Sequence, residues 1–129
     1  MRRILPVVLL CATAVLIVWG CTSRGGLNLP VRTEMKIGDR QRDWALVYFQ
    51  SWREHREGSY LNLSRQHMAK AVRTYFDLQV KIGHSFPDFY TLDRRRRSGC
   101  RFLGEIDRLA ARFRVVISEP GTTGCLARG

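Results

Sequence analysis

The chain has 129 residues, 45% of them hydrophobic, and 22 basic against 11 acidic residues give a formal net charge of +11. That length leaves room for one domain with a small core. The charge makes attraction to polyanions an expectation without choosing among phospholipid headgroups, lipopolysaccharide, wall polymers, acidic proteins and DNA.

The chain opens with Met1-Arg2-Arg3, then an almost uncharged apolar run from Ile4 to Val18, then Trp19-Gly20-Cys21. A cationic start, an apolar stretch and a small residue before a cleavage point have the anatomy of a secretory signal. Val18-Trp19-Gly20-Cys21 resembles the lipobox of bacterial lipoproteins, with Trp19 where lipoboxes usually carry a small or β-branched residue. The resemblance implies that residues 1–20 are removed and that Cys21 becomes the lipidated first residue. Thr22, in place of an aspartate, is similar to the pattern that sends lipoproteins to the outer membrane, facing the periplasm. Two other readings stay open: an uncleaved inner-membrane anchor of about 17 residues, Ile4 to Gly20, and a soluble secreted product cut elsewhere. In the anchor reading Arg2 and Arg3 stay inside and the rest lies outside the cytoplasm.

Residues 21–38 read as a lipidated start and tether, because Gly25-Gly26, Asn28 and Pro30 break any regular period. The foldable domain is expected over 39–129. Asp39 is placed to cap a first helix running to about Glu57 and ended by Gly58, with Trp44, Val47, Tyr48 and Trp52 on one side. The apolar run Ala45 to Phe49 covers more than one face, which predicts wide burial or, alternatively, a strand. Asn62 or Ser64 is placed to cap a second helix ending at Ile82 before Gly83, with Met68, Ala71, Tyr75, Leu78 and Ile82 as its apolar seam. Asn62-Leu63-Ser64 is also a glycosylation triplet, relevant only in a eukaryote.

Phe86, Pro87, Phe89 and Tyr90 form an aromatic connection able to start a short helix at Pro87. Arg94 to Arg97 follow, and at 100° per residue four neighbours wrap most of a helix, so the run is expected in a loop or at an exposed helix end. A further helix is predicted from Ser98 to Phe113 on the seam Phe102, Ile106, Leu109, Phe113. Val115 to Ile117 would be a short strand or extended tail, turned back by Glu119-Pro120-Gly121. Cys11 leaves with the signal and Cys21 carries lipid, so Cys100 and Cys125 remain as a pair in an oxidising compartment, closing a loop of about 25 residues. Two separate thiols are the alternative. The expected fold is mostly α: a three- to four-helix domain stapled by one disulfide.

Catalytic patterns are missing. His55, His67 and His84 lack HxxxH or HExxH spacing and read as solvated; Glu54 and His55, or Glu105 and Asp107, point different ways on a helix; no GxSxG or glycine-rich phosphate loop occurs. No metal or cofactor is expected. The sharp feature outside the signal is Arg94, Arg95, Arg96, Arg97 and Arg101 with Phe89 and Tyr90, a set suited to gripping phosphates or carboxylates while a ring contacts the partner. A solvated loop is the plainer reading, single-stranded nucleic acid is a weaker one, and in an animal the run would be a convertase site. In organisation the chain resembles small outer-membrane lipoproteins that assist envelope machines, such as secretion pilotins or conjugation accessory lipoproteins. That resemblance implies a non-catalytic adaptor with an envelope protein partner; a polyanion-binding module and a small envelope enzyme are the alternatives.

Overall fold

The structure is a computed structural model that describes residues 5–118 and Cys125, with side chains from Pro30 onward. Three helices form it: α1 (Leu5–His55), α2 (Gly58–Ile82) and α3 (Asp88–Phe113). The chain divides into Met1–Thr33 and Glu34–Gly129, and the second unit carries all the packing described below. The side chains of residues 1–29, Cys21 among them, and the expected turn at Glu119-Pro120-Gly121 lie outside the described residues. Among the described residues no helix is long and apolar enough to cross a membrane.

Within the second unit the helices run up, down and up. Ser64 Oγ donates to the Ala45 carbonyl at 2.6 Å while the Tyr75 hydroxyl donates to Asp39, which sets α2 antiparallel to α1. Arg65 meets Asp107 and Gln79 meets Asp93, so α3 turns back along α2. Of the α2 seam predicted from spacing, Met68, Ala71, Tyr75 and Leu78 form the spine of the core and Ile82, at the helix end, is half-buried; Leu61 and Val72 are buried with them. From α3 come Leu92, Leu103, Ile106 and Ala110, and from α1 Met35, Ala45 and Trp52. Gly99 permits the close approach of α2 and α3, because a Cβ there would stand 2.5 Å from Val72 Cγ2.

Several expected boundaries shift. The second unit runs from Glu34, and Met35 and Gly38 within it are buried. On α1 the core register is Met35, Gly38, Ala45 and Trp52, whereas Trp44, Leu46 and Val47 are 48%, 46% and 54% exposed. The Ala45–Phe49 run is therefore neither widely buried nor a strand. The helix stop is Arg56, in the left-handed region at φ 58, its N–H bonded to the Trp52 carbonyl at 2.7 Å. Stacking of its guanidinium 4.5 Å over Trp52 and 5.0 Å over Phe113 offsets the backbone cost. Gly58 instead opens α2, where an added Cβ would meet Val115 Cγ1 at 3.0 Å.

Because α2 starts earlier, Asn62 and Ser64 are interior positions and cap nothing. Asn62 holds the C-terminal tail, donating to the Val116 carbonyl at 2.7 Å and accepting from the Ser118 N–H at 3.2 Å. An amide side chain there supplies both hydrogen bonds that a neighbouring strand would give. The expected extended tail is present, and among the described residues there is no strand. Arg114, at φ 56, ends α3 with its N–H and that of Val115 returning to Ala111 and Ala110, a Schellman-type stop. Val115 and Ile117 then pack on the cluster of Trp52, Leu61, Ile106 and Ala110. The expected disulfide joins Cys100 to Cys125, with Cα atoms 5.6 Å apart.

Candidate functional site: an arginine face on the third helix

The arginine run sits within α3, not in a loop or at a helix end, because Pro87 starts one helix that continues through Ser98 to Phe113. The 100° step then sends the four guanidiniums in different directions, and their neighbours decide what each does. Arg96 turns inward and is 6% exposed; its Nε donates to Gln79 Oε1 at 3.0 Å and its Nη2 to Asp93 Oδ1 at 3.1 Å. Burial would raise the Asp93 carboxyl, but hydrogen bonds from Gln79 and Arg96 and the charges of Arg97 and Arg96 outweigh it and hold the group below its ordinary value. Arg95 reaches α1 and donates to Asp39 Oδ2 at 2.8 Å. The other Asp39 oxygen accepts from Tyr75, whose hydroxyl is pushed upward by burial and by that carboxylate. Arg95 and Arg96 are thus parts of the bundle.

Arg94, Arg97 and Arg101 share the outer face at spacings of three and four. Arg97 donates to Asp93 Oδ2 at 2.9 Å, which fixes its orientation while its side chain stays 63% exposed. Among the described residues, Arg94 and Arg101 have no ion pair. With Ser98 and the Cys100–Cys125 disulfide these three arginines line an open groove of about 860 Å³, whose wall Arg96 also reaches. A smaller hollow of about 270 Å³ beside it, lined by Arg42, Thr91, Arg94, Arg95 and Ser98, extends the basic surface toward α1. The two predicted rings part company. Phe89 is 8% exposed and packs 4.2 Å from the His84 ring, at a cleft of about 310 Å³ shared with Phe76 and Val80. Tyr90 is 62% exposed and precedes Arg94 by four residues, at the head of the arginine stripe.

A second surface escaped the sequence reading. Trp44, Tyr48 and His67 stack in series, with centroids 5.9 Å and 5.3 Å apart, and Gln41 Oε1 lies 2.6 Å from His67 Nδ1. His67 is therefore not the freely solvated histidine expected; burial and the Lys70 charge lower its pKa. The register of α1, visible only once Trp52 is fixed inside, is the signal that would have found this face. His55 and His84 are exposed as expected. The acidic neighbours go to separate cations, Asp107 to Arg65 at 2.7 Å and Glu105 to Arg108 at 2.7 Å. Among the described residues no three side chains are grouped to hold a metal ion.

Comparison with known protein families, curated proteins and solved structures gave no match.

Proposed function

We propose that the chain is a lipid-anchored envelope protein of the bacterial periplasmic side, held by an acylated Cys21, whose helical domain acts as a non-catalytic adaptor. The observation that carries this reading is the order of the N-terminal residues: Arg2-Arg3, the apolar run, then Gly20-Cys21. A disulfide between Cys100 and Cys125 is in keeping with an oxidising compartment. An adaptor needs a surface to offer, and the exposed Trp44, stacked on Tyr48 and through it on His67, is an aromatic side chain of the kind enriched in protein interfaces. Labelled fatty acid should enter the wild-type protein and not Cys21→Ser, which should also leave the membrane fraction. Acylation that persists in Cys21→Ser would end this reading.

A second reading, a basic module for anionic surfaces, draws on Arg94, Arg97 and Arg101 lining one groove. It is compatible with the first, since an anchored adaptor meets anionic lipid at its own membrane.

A further inference from the structure

We propose that Arg94, Arg97 and Arg101, together with the Ser98 hydroxyl and the exposed Tyr90 ring, form a binding site for the phosphates of anionic lipid headgroups, while Arg95 and Arg96, held by Asp39, Gln79 and Asp93, support it from beneath. The proposal rests on the membrane-anchored reading and deepens it. Positions 90, 94, 97 and 101 fall on one stripe of α3, and the three arginines span about 10 Å of helix axis, enough to reach more than one phosphate. Ser98 adds a hydroxyl donor inside the same groove.

The site is oriented in advance. Asp93 holds Arg97 by its Nε, while the pair Arg95–Asp39 and the buried set Gln79–Arg96–Asp93 fix the helix beneath it. Asp93 is shared by Arg96 and Arg97, so the local positive charge exceeds what the carboxylates cancel. Arg94 and Arg101, without ion pairs among the described residues, give up no carboxylate when a phosphate arrives. A planar guanidinium binds phosphate through two parallel N–H donors, which is the chemistry this stripe repeats.

Tyr90 decides between a lipid and a soluble phosphate as the source. An exposed tyrosine, with Phe86 41% exposed in the turn just before it, suits the headgroup level of a bilayer, where an apolar ring body and a polar tip are both accommodated. Glu34, where the bundle begins, follows Cys21 by about 13 residues, so a lipid on Cys21 would keep the face at high effective concentration near headgroups.

The full chain would be placed in nanodiscs of phosphatidylcholine alone or with phosphatidylglycerol added. Arginine modification by phenylglyoxal would then be read residue by residue by mass spectrometry. With phosphatidylglycerol, Arg94, Arg97 and Arg101 should react about fivefold more slowly, while Arg73 on α2 is unchanged, and raised salt should abolish the protection. The double variant Arg94→Gln with Arg101→Gln removes no ion pair seen among the described residues, so it should keep its Tm and lose the protection at Arg97. Equal rates in both nanodiscs would overturn the proposal. Protection by inorganic phosphate over phosphatidylcholine, with none from phosphatidylglycerol, would overturn the lipid as the source. The acyl mass at Cys21, read from the same samples, separates this outcome from failure of the anchor reading: protection without acylation would leave the headgroup site standing.

Discussion

Two glycines on α3 make opposite predictions for the same substitution. Alanine is about 1 kcal/mol more favourable than glycine inside a helix. At Gly104 an added Cβ meets nothing within 4 Å, so Gly104→Ala should collect that full gain. At Gly99 the same methyl would lie 2.5 Å from Val72 Cγ2 and 3.3 Å from Met68 Sδ. Val72 is 1% exposed and β-branched, so its side chain has no free space or rotamer to retreat into. Overpacking of this kind costs about 1–3 kcal/mol, so Gly99→Ala should come out up to about 2 kcal/mol destabilised after the helix gain is set against it. In a domain of this size 1 kcal/mol moves Tm by about 4–8 °C, so thermal melts separate the two variants by sign. Adding Val72→Ala to Gly99→Ala should be less costly than the sum of the two single changes, because the clash is removed. If both alanines stabilise equally, α2 and α3 do not approach closely at Gly99, and the packing described here is wrong.

Other outcomes follow from the same contacts. Cys100→Ser, Cys125→Ser and the double variant should lose the same stability in urea melts, up to about 3.5 kcal/mol from the loop of 25 residues; additive losses would contradict the bond. Arg96→Ala should cost about 1–3 kcal/mol by leaving buried Gln79 without its donor and half-buried Asp93 with Arg97 as its remaining cation, whereas Arg94→Ala should fall within about 0.5 kcal/mol of wild type. The lowered His67 pKa means the folded state binds fewer protons than the unfolded chain. Its contribution is present above about pH 6.5 and lost as pH falls through the lower folded value, so the urea midpoint should drop on acidification by less in His67→Gln. Asp93, also lowered, contributes above the usual carboxylate value near 4 and loses that contribution in stronger acid; Asp93→Asn should flatten that acid limb.

The parts of the fold legible in the sequence were those written as simple periods. Met68, Ala71, Tyr75 and Leu78 recur at helical spacing, and Gly83 closes α2 at φ 71, so the element and its inward face followed directly. The cysteine pairing followed from counting. The register of α1 did not, because Trp44 and Val47 are as apolar as Ala45 and Trp52, and only packing decides which stripe faces inward. The arginine run is illegible for a related reason. Four adjacent cations look incompatible with a helix inside a domain until the partners Asp39, Gln79 and Asp93 are known, and these come from three different helices. Gly58 suggests a stop because glycine commonly ends helices; here Arg56 takes the left-handed position and aromatic stacking supports it. Within the candidate site, the residue types were legible, but the division into structural arginines and outward ones was not.

The residue that stands first in the purified protein decides whether a lipid on Cys21 anchors it. Intact-mass and amino-terminal peptide analysis of protein purified from its own cells should find residues 1–20 gone and an acylated cysteine, Cys21, as the first residue. An amino terminus still at Met1, with Cys21 carrying no acyl group, would contradict the anchor.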